Sequence, residues 1–137
     1  MQIAARVFGV IYLIVGIVGF VPGLLQSPPA DAPTLILPQF YGYLLGYFAV
    51  NWVHDLVHII VGIWGLAAGA TVAGSRSFFR VVAVIFILLF ILGFVPGFKT
   101  LFGLAPLFGA DAWLHLITGI IAAYFGWGVS EQQHASA

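Results

Sequence analysis

No cysteine occurs in this sequence, which removes disulfide frameworks, thiolate metal sites and cysteine nucleophiles together. Charge is nearly as scarce: four Lys or Arg and four Asp or Glu make up 6% of the residues and cancel to a net charge of zero. An average soluble domain carries roughly 25% charged residues. Arg6, Arg76, Arg80 and Lys99 are the whole basic complement, too few and too scattered to neutralise a run of phosphates, so nucleic acid is excluded as a partner. Hydroxyl nucleophiles are poorly placed. Ser27, Ser75, Ser77 and Ser130 fall in loops or at helix ends away from the histidines, and no base is within reach to activate them. No strand is expected, hence no glycine-rich phosphate loop following one. The chain reads as a non-enzyme.

What is present is apolar surface, 63% of the residues being hydrophobic. It is organised as a repeat. Arg6 to Gly23, RVFGVIYLIVGIVGFVPG, aligns without gaps on Arg80 to Gly97, RVVAVIFILLFILGFVPG. Leu44 to Gly62, LLGYFAVNWVHDLVHIIVG, aligns likewise on Leu101 to Gly119, LFGLAPLFGADAWLHLITG. The pattern predicts an all-α membrane protein, a single transmembrane domain over 1–137, with four transmembrane helices from two tandem two-helix repeats in parallel orientation. Repeat one covers about 4–71 and repeat two about 79–129. Spans are expected at 4–24, 50–71, 79–98 and 111–129, each near the length that crosses the hydrocarbon core, and helical because lipid cannot satisfy bare backbone groups. Arg6 before an apolar run, followed by Ala30-Asp31-Ala32, also fits a signal peptide. A run of about twenty apolar residues is a full bilayer span, however, and is read here as a retained helix.

The first repeat carries a longer connection, Leu24 to about Tyr43, where Pro28, Pro29, Pro33 and Pro38 oppose regular helix. Its aromatic residues suit the membrane interface, as do Trp52, Trp64, Trp113 and Trp127 near the span ends. Arg6, Arg76 and Arg80 fall on one side and Lys99 on the other, which puts both termini in the cytoplasm under the positive-inside rule. Gly62, Gly65, Ala67, Ala68 and Gly69 on the second helix, and Gly119, Ala122, Ala123 and Gly126 on the fourth, permit close approach. They predict that helices two and four meet near the pseudo-two-fold axis. The tail SEQQHASA, with His134, reads as a solvated end.

Ionisable residues inside spans default to a functional hypothesis. His54 and His58 are one helical turn apart, as are Asp111 and His115, and the repeat pairs His54 with Asp111 and His58 with His115. Asn51 is the expected cap of the second helix. Asp55 points off the shared face, toward an outer-sphere role. Three readings of the cluster stay open. His and Asp act as interhelix glue; or His58 and His115 ligate a tetrapyrrole, haem b from opposite sides or chlorophyll magnesium singly; or His54, His58, Asp111 and His115 bind a metal, zinc or copper(II). Thr118 is expected to bond back to a carbonyl of its own helix.

The stretch NWVHDLVHIIVGIWGLAAG and the later LFGLAPLFGADAWLHLITG resemble a family of uncharacterised bacterial four-helix membrane proteins, a domain of unknown function. Its Asn-x-x-His-x-x-x-His-x-x-x-Gly pattern falls here on Asn51, His54, His58 and Gly62, with a degenerate copy on Asp111, His115 and Gly119. The long Pro-rich first loop departs from that pattern. The resemblance implies a fold and the importance of the histidines, and no activity. Function is accordingly expected to be that of an accessory or structural subunit in a bacterial inner or internal membrane. Its partners are then the lipid bilayer and other membrane subunits or further copies of the chain. The alternative is a redox or metal-binding membrane protein.

Overall fold

Helix boundaries follow local chemistry in a computed structural model that describes residues 1–130; the tail containing His134 lies outside the described residues. Helix α1 (Gln2–Val18) stops at Gly19, and Pro22 then opens a 3-10 turn, Pro22–Leu24. Helix α2 (Trp52–Ala68) starts where the Asn51 side chain accepts from the His54 amide at 3.0 Å, as expected of a cap. Helix α3 (Val72–Leu92) begins seven residues before the expected 79. Thr71 caps it by accepting from the Gly74 amide at 3.0 Å, and the Ser75 hydroxyl donates to the Ala68 and Thr71 carbonyls. The GSRS segment that reads as a loop is therefore the first turn of a helix. Helix α4 (Ala110–Ala123) continues into a π-helical turn over Tyr124–Gly128.

Among the described residues the chain is thus mostly helical, with four α-helices. Among the described residues only α3, 21 residues long, is long and apolar enough to cross a membrane by itself; α1 and α2 are shorter apolar helices. Strands also occur, contrary to expectation. In the first connection β1 (Leu25–Gln26), β2 (Gly42–Leu44) and β3 (Phe48–Val50) form an antiparallel sheet in the order β1-β2-β3. The β2–β3 turn is built on Leu45 and Gly46, at φ 53° and 81°.

Helix α1 packs on α2 and α3 on α4, and the two hairpins repeat each other contact by contact. Arg6 Nε donates to the Gly69 carbonyl at 3.1 Å and Arg80 Nε to the Gly126 carbonyl at 2.9 Å. Gly62 faces Gly9 and Leu13; its counterpart Gly119 faces Ala83 and Ile87. Leu45-Gly46 is matched by Phe102-Gly103, both residues again at positive φ. The small residues therefore close each hairpin on itself. They do not bring α2 against α4, which corrects the expected helix two to helix four packing. The central core comes from α1 and α3 instead, with Phe8, Tyr12, Phe78, Phe79, Val82 and Phe86 buried together.

Polarity is reversed from that of a water-soluble bundle. Asn51, His54, Asp55, His58, Ser75, Asp111 and His115 are buried, while isoleucines and valines such as Ile14, Ile60, Val84 and Ile117 are exposed. At the end remote from the arginines the two connections are tied together. Ile36 and Leu37 amides donate to the Gly103 carbonyl, and Asn51 Nδ2 donates to the Leu37 carbonyl at 2.9 Å and the Leu104 carbonyl at 2.8 Å.

Candidate functional site

The cap at Asn51 sets α2 so that His54 and His58, one turn apart, face inward beneath the tied connections. Their Nε2 atoms lie 3.2 Å apart. The second connection brings the Pro106 carbonyl to 3.0 Å from His54 Nδ1. A carbonyl accepts only, so His54 carries its proton on Nδ1 and turns the Nε2 lone pair toward His58. Helix α4 supplies His115 and Asp111 from the other hairpin. Asp111 Oδ1 is 3.5 Å from His54 Nε2 and Oδ2 is 3.3 Å from His115 Nδ1, the latter a close approach without hydrogen-bond alignment.

One ring nitrogen from each of His54, His58 and His115 lies within 4.8 Å of the others. All three rings are buried. The repeat extends beneath them: Tyr12 stands edge-on to His58 with ring centroids 5.2 Å apart, and its counterpart Phe86 lies 5.3 Å from His115. Tyr12 and Phe86 touch at 5.4 Å, giving the histidine pair an aromatic floor. Sequence reasoning missed this pair, although the repeat alignment sets residue 12 against residue 86 in the same way as it sets 58 against 115. The Pro106 carbonyl was also missed, since a main-chain ligand partner leaves no side-chain signature.

The structure brings together all four residues of the expected metal set, His54, His58, Asp111 and His115. Asp55 is not among them. It is fully buried, its carboxylate fills the notch beside Gly19, and neither oxygen has a hydrogen-bond partner, so the expected outer-sphere bond to a histidine is not made. Thr118 donates to the Leu114 carbonyl at 2.5 Å, the back-bond expected of it.

A cavity of about 210 Å³ opens beside the cluster, with His54, His58 and His115 in its wall. The rest of its lining is apolar. Asp111 is not part of that lining.

A family model described as Domain of unknown function (DUF4383) matches residues 2–128, and the chain belongs to that family. No curated protein and no solved structure matches it.

Proposed function

We propose that this DUF4383 protein is a small integral membrane protein that holds one divalent transition-metal ion, zinc or copper(II), on His54, His58 and His115, with Asp111 orienting the set. The observation that carries the metal reading is the Pro106 carbonyl at His54 Nδ1. Metal-ligating histidines almost always give their second ring N–H to a carbonyl or carboxylate, which fixes the tautomer and aims the other nitrogen at the ion. His54 has that arrangement, and Asp111 Oδ2 lies 3.3 Å from His115 Nδ1. Three imidazoles with a position left open toward a cavity is a donor set that suits these ions.

The same geometry argues against a tetrapyrrole. A macrocycle held between His58 and His115 would lie where His54 stands, since the His54 nitrogen is within 4.8 Å of both. A cavity of about 210 Å³ is also below the roughly 300–1,000 Å³ of sites for drug-sized ligands.

The membrane reading is supported by the reversed polarity. Exposed aliphatic residues run along the outer faces of all four helices, and large contiguous apolar patches of that kind mark protein or membrane interaction surfaces rather than the solvated face of a soluble monomer. Helix α3, 21 residues, is about 32 Å long at 1.5 Å per residue. Helices α1 and α2, 17 residues each, reach about 25 Å, a shortfall that local bilayer thinning and the apolar turns after them absorb. The arginine-bearing end, with both termini, faces the cytoplasm.

A second reading, an accessory subunit in which the cluster only joins helices, is favoured by the placement of Asp111 between His54 of α2 and His115 of its own helix, at 3.5 and 3.3 Å. Metal analysis of the untagged protein, extracted in mild detergent without chelator, separates the two. The metal reading expects about one zinc or copper per chain, lost in His58→Ala and in His115→Ala. Metal-free protein that co-purifies with other subunits overturns it in favour of the second reading.

A further inference from the structure

The cavity beside the cluster has two exposed lining residues on facing helices, Val57 of α2 (46% exposed) and Ile85 of α3 (44%). Both are aliphatic, so the cavity opens sideways between these helices, on a flank that in the membrane reading meets lipid. Its inner wall is Phe86, Leu89, Ala105 and Leu107 together with the three imidazoles. Among the described residues, the histidines are the only polar side chains in the lining. An anion entering there would find no donor besides the ion, and would approach the Asp111 carboxylate, 3.5 Å from His54 Nε2 and 3.3 Å from His115 Nδ1; burying charge against apolar walls is costly. A neutral molecule meets neither penalty. Size is bounded as well: apolar cavities of about 150 Å³ accept a benzene-sized guest, and this one measures about 210 Å³.

Resting on the metal reading above, we infer that the ion's open position takes a small uncharged ligand, no larger than about one six-membered ring, which arrives from the lipid phase between α2 and α3. The side opening, the apolar lining and the three imidazoles in one wall then have a single use. The cavity is the access route and the specificity filter of the metal.

The test uses cobalt(II) as a spectroscopic substitute in the full-length protein in lipid nanodiscs, with pyridine as the neutral probe and azide as the anionic one. Saturable perturbation of the cobalt visible spectrum by pyridine is expected, with azide binding about tenfold or more weaker, a difference of 1.4 kcal/mol per tenfold step. Ile85→Trp, which plugs the mouth from the lipid side, and Leu89→Phe, which narrows the inner wall, are both expected to weaken pyridine about tenfold while leaving one cobalt per chain. Full cobalt occupancy with azide binding as well as pyridine, or with pyridine indifferent to both variants, overturns this inference alone. Failure to bind cobalt in the parent protein overturns the metal reading and the inference with it.

Discussion

Replacing Asn51 perturbs the cap, the ties between the connections and the histidine site together. Its side chain is fully buried and makes three hydrogen bonds: it accepts from the His54 amide at 3.0 Å and donates to the Leu37 and Leu104 carbonyls at 2.9 and 2.8 Å. At about 1 kcal/mol net for each bond, Asn51→Ala is expected to cost about 3 kcal/mol, of which the cap alone accounts for about 1. Asn51→Asp is the sharper probe. At an exposed helix start Asn and Asp are equivalent caps, but here the Asp would set a carboxylate oxygen against two carbonyl oxygens. It is expected to be at least as destabilising as Ala. Equilibrium unfolding in mixed micelles, with Trp fluorescence as the readout, measures both variants. Asn51→Asp within about 0.5 kcal/mol of the parent would refute the argument that the two carbonyl ties, rather than the cap, dominate. Because the tied connection delivers the Pro106 carbonyl to His54, both variants are also expected to weaken zinc about 10- to 100-fold, the usual cost of losing outer-shell support.

The repeat supplies matched controls. A Cβ on Gly62 would stand 2.6 Å from the Leu13 amide nitrogen and 2.8 Å from the Gly9 carbonyl oxygen, whereas on Gly119 the nearest atom, at 2.8 Å, is the Ile87 side chain. Gly62→Ala is therefore expected to cost about 2–3 kcal/mol and Gly119→Ala about 1 or less, measured by the same unfolding assay. Asp55→Ala removes a buried carboxyl with no hydrogen-bond partner and copies repeat two, where Ala112 takes the equivalent place beside Gly93. It is expected to leave stability within about 1 kcal/mol of the parent or to raise it, with metal content unchanged in elemental analysis. Gly19→Ala, which would drive a methyl into the Asp55 carboxylate, is expected to be strongly destabilising alone and largely rescued by adding Asp55→Ala, read as a double-mutant cycle.

Much of this arrangement is legible in the sequence because it was duplicated. Aligning Arg6 on Arg80 and His58 on His115 anticipates that residues 6 and 80 sit at the same end of the molecule, as they do on Gly69 and Gly126. The four-residue spacing of His54 with His58 and of Asp111 with His115 anticipates that each pair shares a face. Which helix a small residue faces is a different matter. Gly62 and Gly119 permit close approach without naming the neighbour, and the informative partner was Gly9, with Gly16, on α1. Boundaries failed where side chains bond to main chain: Thr71 and Ser75 turn an apparent loop into the start of α3. The small sheet failed because its turn uses Leu45 and Gly46 rather than the Asn-Gly or Asp-Gly pair that usually marks a tight hairpin.

The two copies also diverge at the site. His54, Asp55 and Asn51 of repeat one stand where repeat two has Asp111, Ala112 and Phe108. A duplicated hairpin with identical copies would have placed two equal histidine pairs face to face. Instead one copy supplies two imidazoles, and the other supplies one imidazole and the carboxylate beside it.

X-ray absorption at the metal edge of the zinc-loaded, full-length protein in lipid nanodiscs tests the central claim most directly. The account predicts one ion per chain in a nitrogen and oxygen shell at about 2.0–2.1 Å, with the multiple-scattering pattern of three imidazoles, and no stoichiometric ion in His58→Ala. An ion without imidazole scattering, or no stoichiometric ion in parent protein that remains folded, would contradict it.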